Sequence, residues 1–169
     1  MKFTSWHVGV AAEAIVAYLF ARFGYDVSVQ YGANQPEYDL IVSHSDKLLR
    51  ISVKGTQEQG WGLCQNFLKD KNSTYHSAID DWLKKHNQRT IFCFVSFYKM
   101  KPLEMPKIYL ATPKEVAERL HTSRNGEGST ILYENKEWTK RAKSSGSTDA
   151  IPQSWYFKEE RIEELFINA

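Results

Sequence analysis

The chain has 169 residues, the size of one domain rather than two, and its 42% hydrophobic and 25% charged residues exclude a disordered tail, a collagenous repeat or a coiled-coil rod. Lys and Arg number 22 against 20 Asp and Glu, a net charge of +2, so any nucleic-acid partner has to be held by a local basic patch and not by bulk charge. Cys64 and Cys93 are the only cysteines, too few for a disulfide scaffold and without zinc-ligand spacing, which fits a reducing, cytoplasmic setting.

Thr4 or Ser5 caps a first helix that runs through residue 23, where Gly24 supplies the left-handed residue that stops it. Its apolar stretch is shorter than the roughly 20 residues of a membrane span, is interrupted by Glu13 and is closed by Arg22, so it reads as a buried helix and no membrane partner is expected. Residues 25–31 alternate β-formers and lead into a Gly/Asn/Pro loop, as a strand and turn do. Two further strands, 38–44 and 48–54, flank Ser45-Asp46-Lys47, a connection short enough to close a β-hairpin. Residues 55–72 read as a long, partly helical loop rich in Gly, Gln and Lys.

Apolar positions at three-to-four spacing define a second helix over 73–87. The run TIFCFVSFY over 90–98 is apolar almost throughout, as in a central strand covered on both faces. A Lys/Pro/Met loop leads to a strand over 107–111. Thr112-Pro113-Lys114-Glu115 then opens a third helix with a cap, a first-turn proline and an acid. A short strand over 131–133, a basic loop over 136–148 and an amphipathic helix over 158–167 complete the chain.

Two features carry chemistry. Glu13 has Gly9, Val10, Val16 and Ala17 as its helical neighbours, none of which pairs with a carboxylate. It therefore reaches solvent, takes up a proton or meets a cation from elsewhere in the fold. The second feature is the hairpin. If opposed residues sum to 91, Asp39 faces Ser52, and Lys54 lies diagonal to it on the same face, so that an acid, a hydroxyl and an ammonium converge. A one-residue slip separates them.

A helical glutamate (Glu13 in AAEAIVAYLF), an aspartate opening a strand (Asp39 in YDLIV) and a hairpin ending in Ser52-Val53-Lys54 (RISVKGTQ) resemble the PD-(D/E)XK nuclease superfamily. That superfamily includes restriction endonucleases and archaeal Holliday-junction resolvases. The resemblance covers roughly residues 8–121 and leaves 122–169 as a C-terminal extension of one nuclease-like domain, 1–169. It implies an α/β fold, a restriction-endonuclease-like mixed central sheet flanked by helices.

In function, the resemblance implies metal-dependent hydrolysis of DNA phosphodiesters by an endonuclease. Asp39, Glu13 and the Val53 backbone carbonyl would hold Mg²⁺ or Mn²⁺, and Lys54 would orient or deprotonate the attacking water. Those residue types suit the chemistry, since Mg²⁺ prefers hard oxygen ligands and an ammonium steadies developing negative charge.

Ser52 stands where most members carry an acid, and a hydroxyl does not replace a carboxylate as an anionic ligand. Glu58, Glu37 and Asp70, together with Asp80 and Asp81, are the candidate replacements. Gln57 is placed to bind a metal-bound water or a phosphate, Trp61 to contact a splayed base, and Lys69 and Lys71 to track phosphates. His76, His86 and His121 are scattered along the sequence and read as surface or packing residues. The competing reading is a catalytically weakened module of the same fold that binds nucleic acid or a protein without cleavage. RNA stays open beside DNA as the substrate, and a homodimer stays open by analogy with restriction enzymes that cut both strands.

Overall fold

A computed structural model of the chain describes residues 3–30, 37–69, 71–139 and 146–168. Helix α1 (Ser5–Arg22) begins where the Thr4 hydroxyl accepts the His7 N–H, and the chain turns away at Gly24, whose φ of 85° is left-handed. Val8, Ala12, Val16 and Phe20 recur at every fourth residue and form its buried stripe. Among the described residues no helix is long and apolar enough to cross a membrane.

Two antiparallel strands follow, β1 (Asp26–Val29) and β2 (Leu40–His44), and β2 turns directly into the long β3 (Lys47–Thr56). The hairpin pairs Ile41 with Arg50 and Ser43 with Leu48, the register in which opposed residues sum to 91. Beyond the short β4 (Gly60–Gly62), α2 (Tyr75–Lys85) carries the chain back so that β5 (Thr90–Ser96) runs parallel to β3. Strand β6 (Lys107–Ala111) then adds antiparallel to β5. The result is a mixed five-stranded sheet in the order β1-β2-β3-β5-β6.

Helices cover both faces of this sheet. The first face packs α1 and the C-terminal helix α4 (Glu159–Ile167) on Leu40, Val42, Leu49, Ile51, Val53, Cys93 and Leu110. The other packs α2 and α3 (Pro113–Thr122) on Phe92, Phe94, Tyr109 and Ala111. Strand β5 is buried at every residue, as expected for a strand with apolar side chains on both faces.

Two segments differ from the sequence-based expectation. The expected partly helical loop over 55–72 has its helical part, a 3-10 turn (Gln65–Phe67), but it also contains β4, which pairs with the distant β7 (Ile131–Tyr133). Within and around the expected 136–148 loop, β8 (Asn135–Glu137) pairs with β9 (Thr148–Ala150). Strand β7 is the short strand expected over 131–133, whereas β4, β8 and β9, of three residues each, are too short to show a period, and β4 is defined only by its partner some 70 positions away in sequence.

The contact that seats α1 is at Gly55, near the end of β3. A Cβ there would stand 2.8 Å from Val8 Cγ1 and 3.0 Å from Ala12 Cβ. A Cβ at Gly9, inside α1, would meet nothing within 4 Å. The two glycines therefore respond with opposite sign. Gly55→Ala should lower unfolding free energy by about 1–3 kcal/mol through overpacking, and Gly9→Ala should raise it by about 0.5–1 kcal/mol through helix propensity. Urea titration of both variants beside the native chain measures the difference.

Candidate functional site

The β2–β3 ladder ends at Leu40 and Ile51, and one step later the Asp39 N–H donates to the Ile51 carbonyl at 2.8 Å. Two residues further along β3 the ladder has no β2 residue to meet, and the Asp39 carboxylate itself accepts the Val53 N–H at 2.6 Å. A strand N–H points within the plane of the sheet, so this bond places the carboxylate in the gap where β2 is missing and not squarely on one face. The Val53 carbonyl, which turns to the same neighbour as its N–H, is directed toward that gap as well.

Glu13 and Lys54 both act on this place. Lys54 pairs with Phe94 and alternates with Val53, so it belongs to the face covered by α2 and α3, while α1 carries Glu13 on the opposite face. Burial pushes the Glu13 carboxyl up from its ordinary value of 4.5, the neighbouring Asp39 carboxylate pushes it the same way, and Lys54 opposes them. The three side chains thus share one electrostatic neighbourhood, drawn from three elements and reached from both sides of the sheet. The close seat of α1 on Gly55 brings Glu13, next to Ala12, into it.

A divalent cation suits this donor set. Glu13, whose proton affinity the Asp39 carboxylate helps to raise, and the Asp39 oxygen not used by Val53 form an oxygen-rich pair whose repulsion a cation would relieve. Among the described residues no three His, Cys, Asp or Glu side chains gather as a ready-made cage, so water completes the shell of any ion held here. Ser52 is only 1% exposed, closed off from solvent, and offers no oxygen to an ion in the open gap.

Other expected residues are engaged elsewhere. Trp61 does not serve as a stacking platform: it is 4% exposed, packs on Phe94 and Tyr109, and donates its indole N–H to the Lys54 carbonyl at 2.7 Å. Gln57 donates its amide to the Phe3 carbonyl at 3.2 Å and so ties the turn after β3 to the start of α1. Glu37 accepts from His86 Nδ1 and from the Asn87 N–H, which fastens the residues before β2 to the end of α2. Asp80 pairs with His121 and Asp81 with Lys84, both away from Asp39 along α2. His76 and His121, far apart in sequence, stack on each other across α2 and α3 and share an Nδ1–Nδ1 hydrogen bond of 2.6 Å. Glu58 is exposed in the turn before β4, Lys69 and Lys71 are exposed ahead of α2, and Asp70 lies outside the described residues.

No protein-family model and no curated protein matches the chain. Among solved structures it is similar to a bacterial homing endonuclease, I-Ssp6803I, at 14% identity and a TM-score of 0.48, over 98% of this chain and 95% of that one.

Two cavities border β3. A cleft of about 250 Å³ runs beside Lys54, between the end of β3 and β4. The larger cavity, about 550 Å³, opens toward the other end of β3 around Lys47, Arg50 and Arg161. Of the candidate site residues, Val53, Lys54 and Trp61 line the smaller cleft.

A cluster near this cleft escaped the sequence reading. Glu134 accepts hydrogen bonds from Ser96, Lys107 and Tyr109, and its own N–H donates to the Gln59 carbonyl at 2.8 Å. Ser96 pairs with Thr56, so the cluster stands one strand away from the end of β3. Only the alternation of Lys107, Tyr109 and Ala111 hinted that a polar group would meet this face.

Burial pushes the Glu134 carboxyl up, but the bonds from Lys107, Ser96 and Tyr109 outweigh it and hold the group below its ordinary 4.5. A depressed carboxyl contributes stability above its unfolded-state pKa and loses it as pH falls through the folded one. Glu134→Gln should therefore cost about 1.5–3 kcal/mol at pH 7, the range for hydrogen bonds to a charged group. That gap should close as the pH is lowered below about 4.5, which thermal melts across a pH series would reveal.

Proposed function

We propose that this protein is a metal-dependent nuclease of PD-(D/E)XK type that hydrolyses phosphodiester bonds of DNA. The observation that supports this reading is that Glu13 feels both the Asp39 carboxylate and Lys54 while Asp39 is bonded to the Val53 N–H, in the order helix, strand and hairpin that the sequence motif requires.

In this reading the free Asp39 oxygen, the Val53 carbonyl and Glu13 hold Mg²⁺ or Mn²⁺. A divalent ion bound there supplies Lewis-acid stabilisation of charge on the phosphate and lowers the pKa of a bound water. The Val53 N–H fixes the Asp39 carboxylate through one oxygen and leaves the other for an ion. Lys54 donates from Nζ to the attacking water or to a phosphate oxygen, and its position is held from behind by the Trp61 indole on its own carbonyl. Ser52 fills the buried position under this constellation and leaves it one acid short of most family members.

That missing acid is what supports the second reading, a module that binds nucleic acid without cutting it. The two are separated by incubating the protein with supercoiled, linear and branched DNA and with RNA, in Mg²⁺, in Mn²⁺ and in chelator. An enzyme should cut only with metal, and Asp39→Ala and Lys54→Ala should each lose at least about a hundredfold, since each removes roughly 3 kcal/mol or more of transition-state stabilisation. Salt-sensitive binding with no cleavage in any metal would identify the module. Undiminished cleavage in both variants would overturn the assignment of these residues.

A further inference from the structure

The chain between β5 and β6 leaves the sheet at the same end as Lys54. Its root is bonded to the candidate site: the Phe97 N–H donates to the Thr56 carbonyl at 2.8 Å, and the Phe97 ring meets Phe3 edge-on at 6.0 Å. Thr56 is two residues beyond Lys54 on β3, so whatever lies at this loop is within reach of the same length of polymer.

Its tip is a closed β-turn. The Glu104 N–H donates to the Lys101 carbonyl at 3.1 Å, and the Glu104 carboxylate accepts the Lys101 N–H at 2.9 Å, so both ends of the turn are tied. Pro102, in the second position of the turn, has its φ preset by its ring. The third position is Leu103, which is 100% exposed, and Met105 beside it is 59% exposed. A rigid turn that holds a leucine wholly in water gains nothing for the fold from that side chain.

Charge and size narrow what such a tip meets. Lys99 and Lys101 flank it, with Lys99 Nζ lying 5.1 Å from the centre of the Tyr98 ring, while the turn's one acid, Glu104, is bent back onto Lys101. Two apolar side chains are far short of the roughly 800 Å² per partner that a stable protein interface buries. A single stiff apolar point between two cations instead matches the wedges, often Leu, Met or Pro, that enter a groove of duplex DNA and partly unstack a base step.

We propose that the Lys101–Glu104 turn is a DNA wedge. Leu103, backed by Met105, inserts between base pairs of a duplex, and Lys99 and Lys101 contact the phosphates on either side of the step. The kink holds the duplex against the end of the sheet where Lys54 stands. This inference rests on the nuclease reading and adds to it that the substrate is double-stranded and is deformed on binding.

The test uses the full chain carrying Lys54→Ala, so that DNA is bound without being cut. A nicked plasmid is sealed by DNA ligase in its presence, and the linking number of the product is read on a gel. A wedge unwinds the steps it enters, so the topoisomer distribution should shift with bound protein. Adding Leu103→Ser should abolish the shift and weaken duplex binding about tenfold or more, with single-stranded binding changed little. Leu103→Met should restore the shift, and unchanged melting of both variants would confirm that the exposed site leaves the fold intact. Lys99→Ala and Lys101→Ala should each lower the salt dependence of binding by about one counterion.

A protein that binds the plasmid without shifting its linking number, or that shifts it equally after Leu103→Ser, overturns the wedge. Absence of duplex binding overturns it as well. Metal-dependent cleavage by the native chain is assayed in parallel. If cleavage persists while the topology is unmoved, only the wedge falls. If the topology shifts but the native chain cuts nothing, only the nuclease reading falls.

Discussion

The candidate site depends on how closely α1 approaches the end of β3. Helices usually stand off a sheet by the length of the side chains between them. At Gly55 there is no side chain, and the Val8 and Ala12 atoms occupy the space that a Cβ would need. This close seat carries Glu13 to the level at which β2 has ended, and without it the glutamate belongs to a helix face remote from Asp39 and Lys54. A glycine is costly inside a strand, so its place directly after the lysine is a local weakness that the packing of α1 offsets.

The second constraint is the early end of β2. Strand β3 extends from Lys47 to Thr56, but its antiparallel partner covers it only from Ile51 back to the turn. The uncovered N–H of Val53 needs an acceptor, and Asp39 supplies it. One bond therefore satisfies the backbone and fixes the carboxylate in the plane of the sheet. Glu13 feels both this carboxylate and Lys54, from opposite faces of the sheet. Burial, and after it the nearby Asp39 carboxylate, raises the proton affinity of Glu13 there.

The C-terminal extension belongs to the same construction. Strand β7 pairs with β4, and Glu134 at its end binds Ser96, Lys107 and Tyr109 while its backbone reaches Gln59. Trp61, in β4, then lies between this extension and the Lys54 carbonyl. The turn after the lysine is thus held by residues some 70 positions downstream. Buried Asp149, which accepts from Trp138 and pairs with Arg119, fixes the rest of the extension to α3.

Local signals determined much of this. The caps of α1 and α3, the apolar continuity of β5 and a short polar connection between β2 and β3 are all readable from neighbours in sequence, and each appears in the structure, the connection one residue shorter than Ser45-Asp46-Lys47 because Lys47 already pairs with His44. The order of Glu13, Asp39 and Lys54 along helix, strand and hairpin was equally legible, because a hairpin's register follows from its turn. Trp61 was misread, since a tryptophan in a Gly- and Gln-rich stretch shows no partner until β7 comes alongside it. His76 and His121 looked scattered for the same reason, their pairing being set by the packing of α2 on α3. The tertiary structure alone decided that Asp39 turns into the plane of the sheet, that Glu37 is spent on His86 and Asn87, and that Glu134 stands beside the end of β3. Each of those outcomes depends on which backbone and side-chain groups remain unsatisfied once distant strands have paired, and a hydrogen-bond donor left over at residue 53 has no signature in the residues around it.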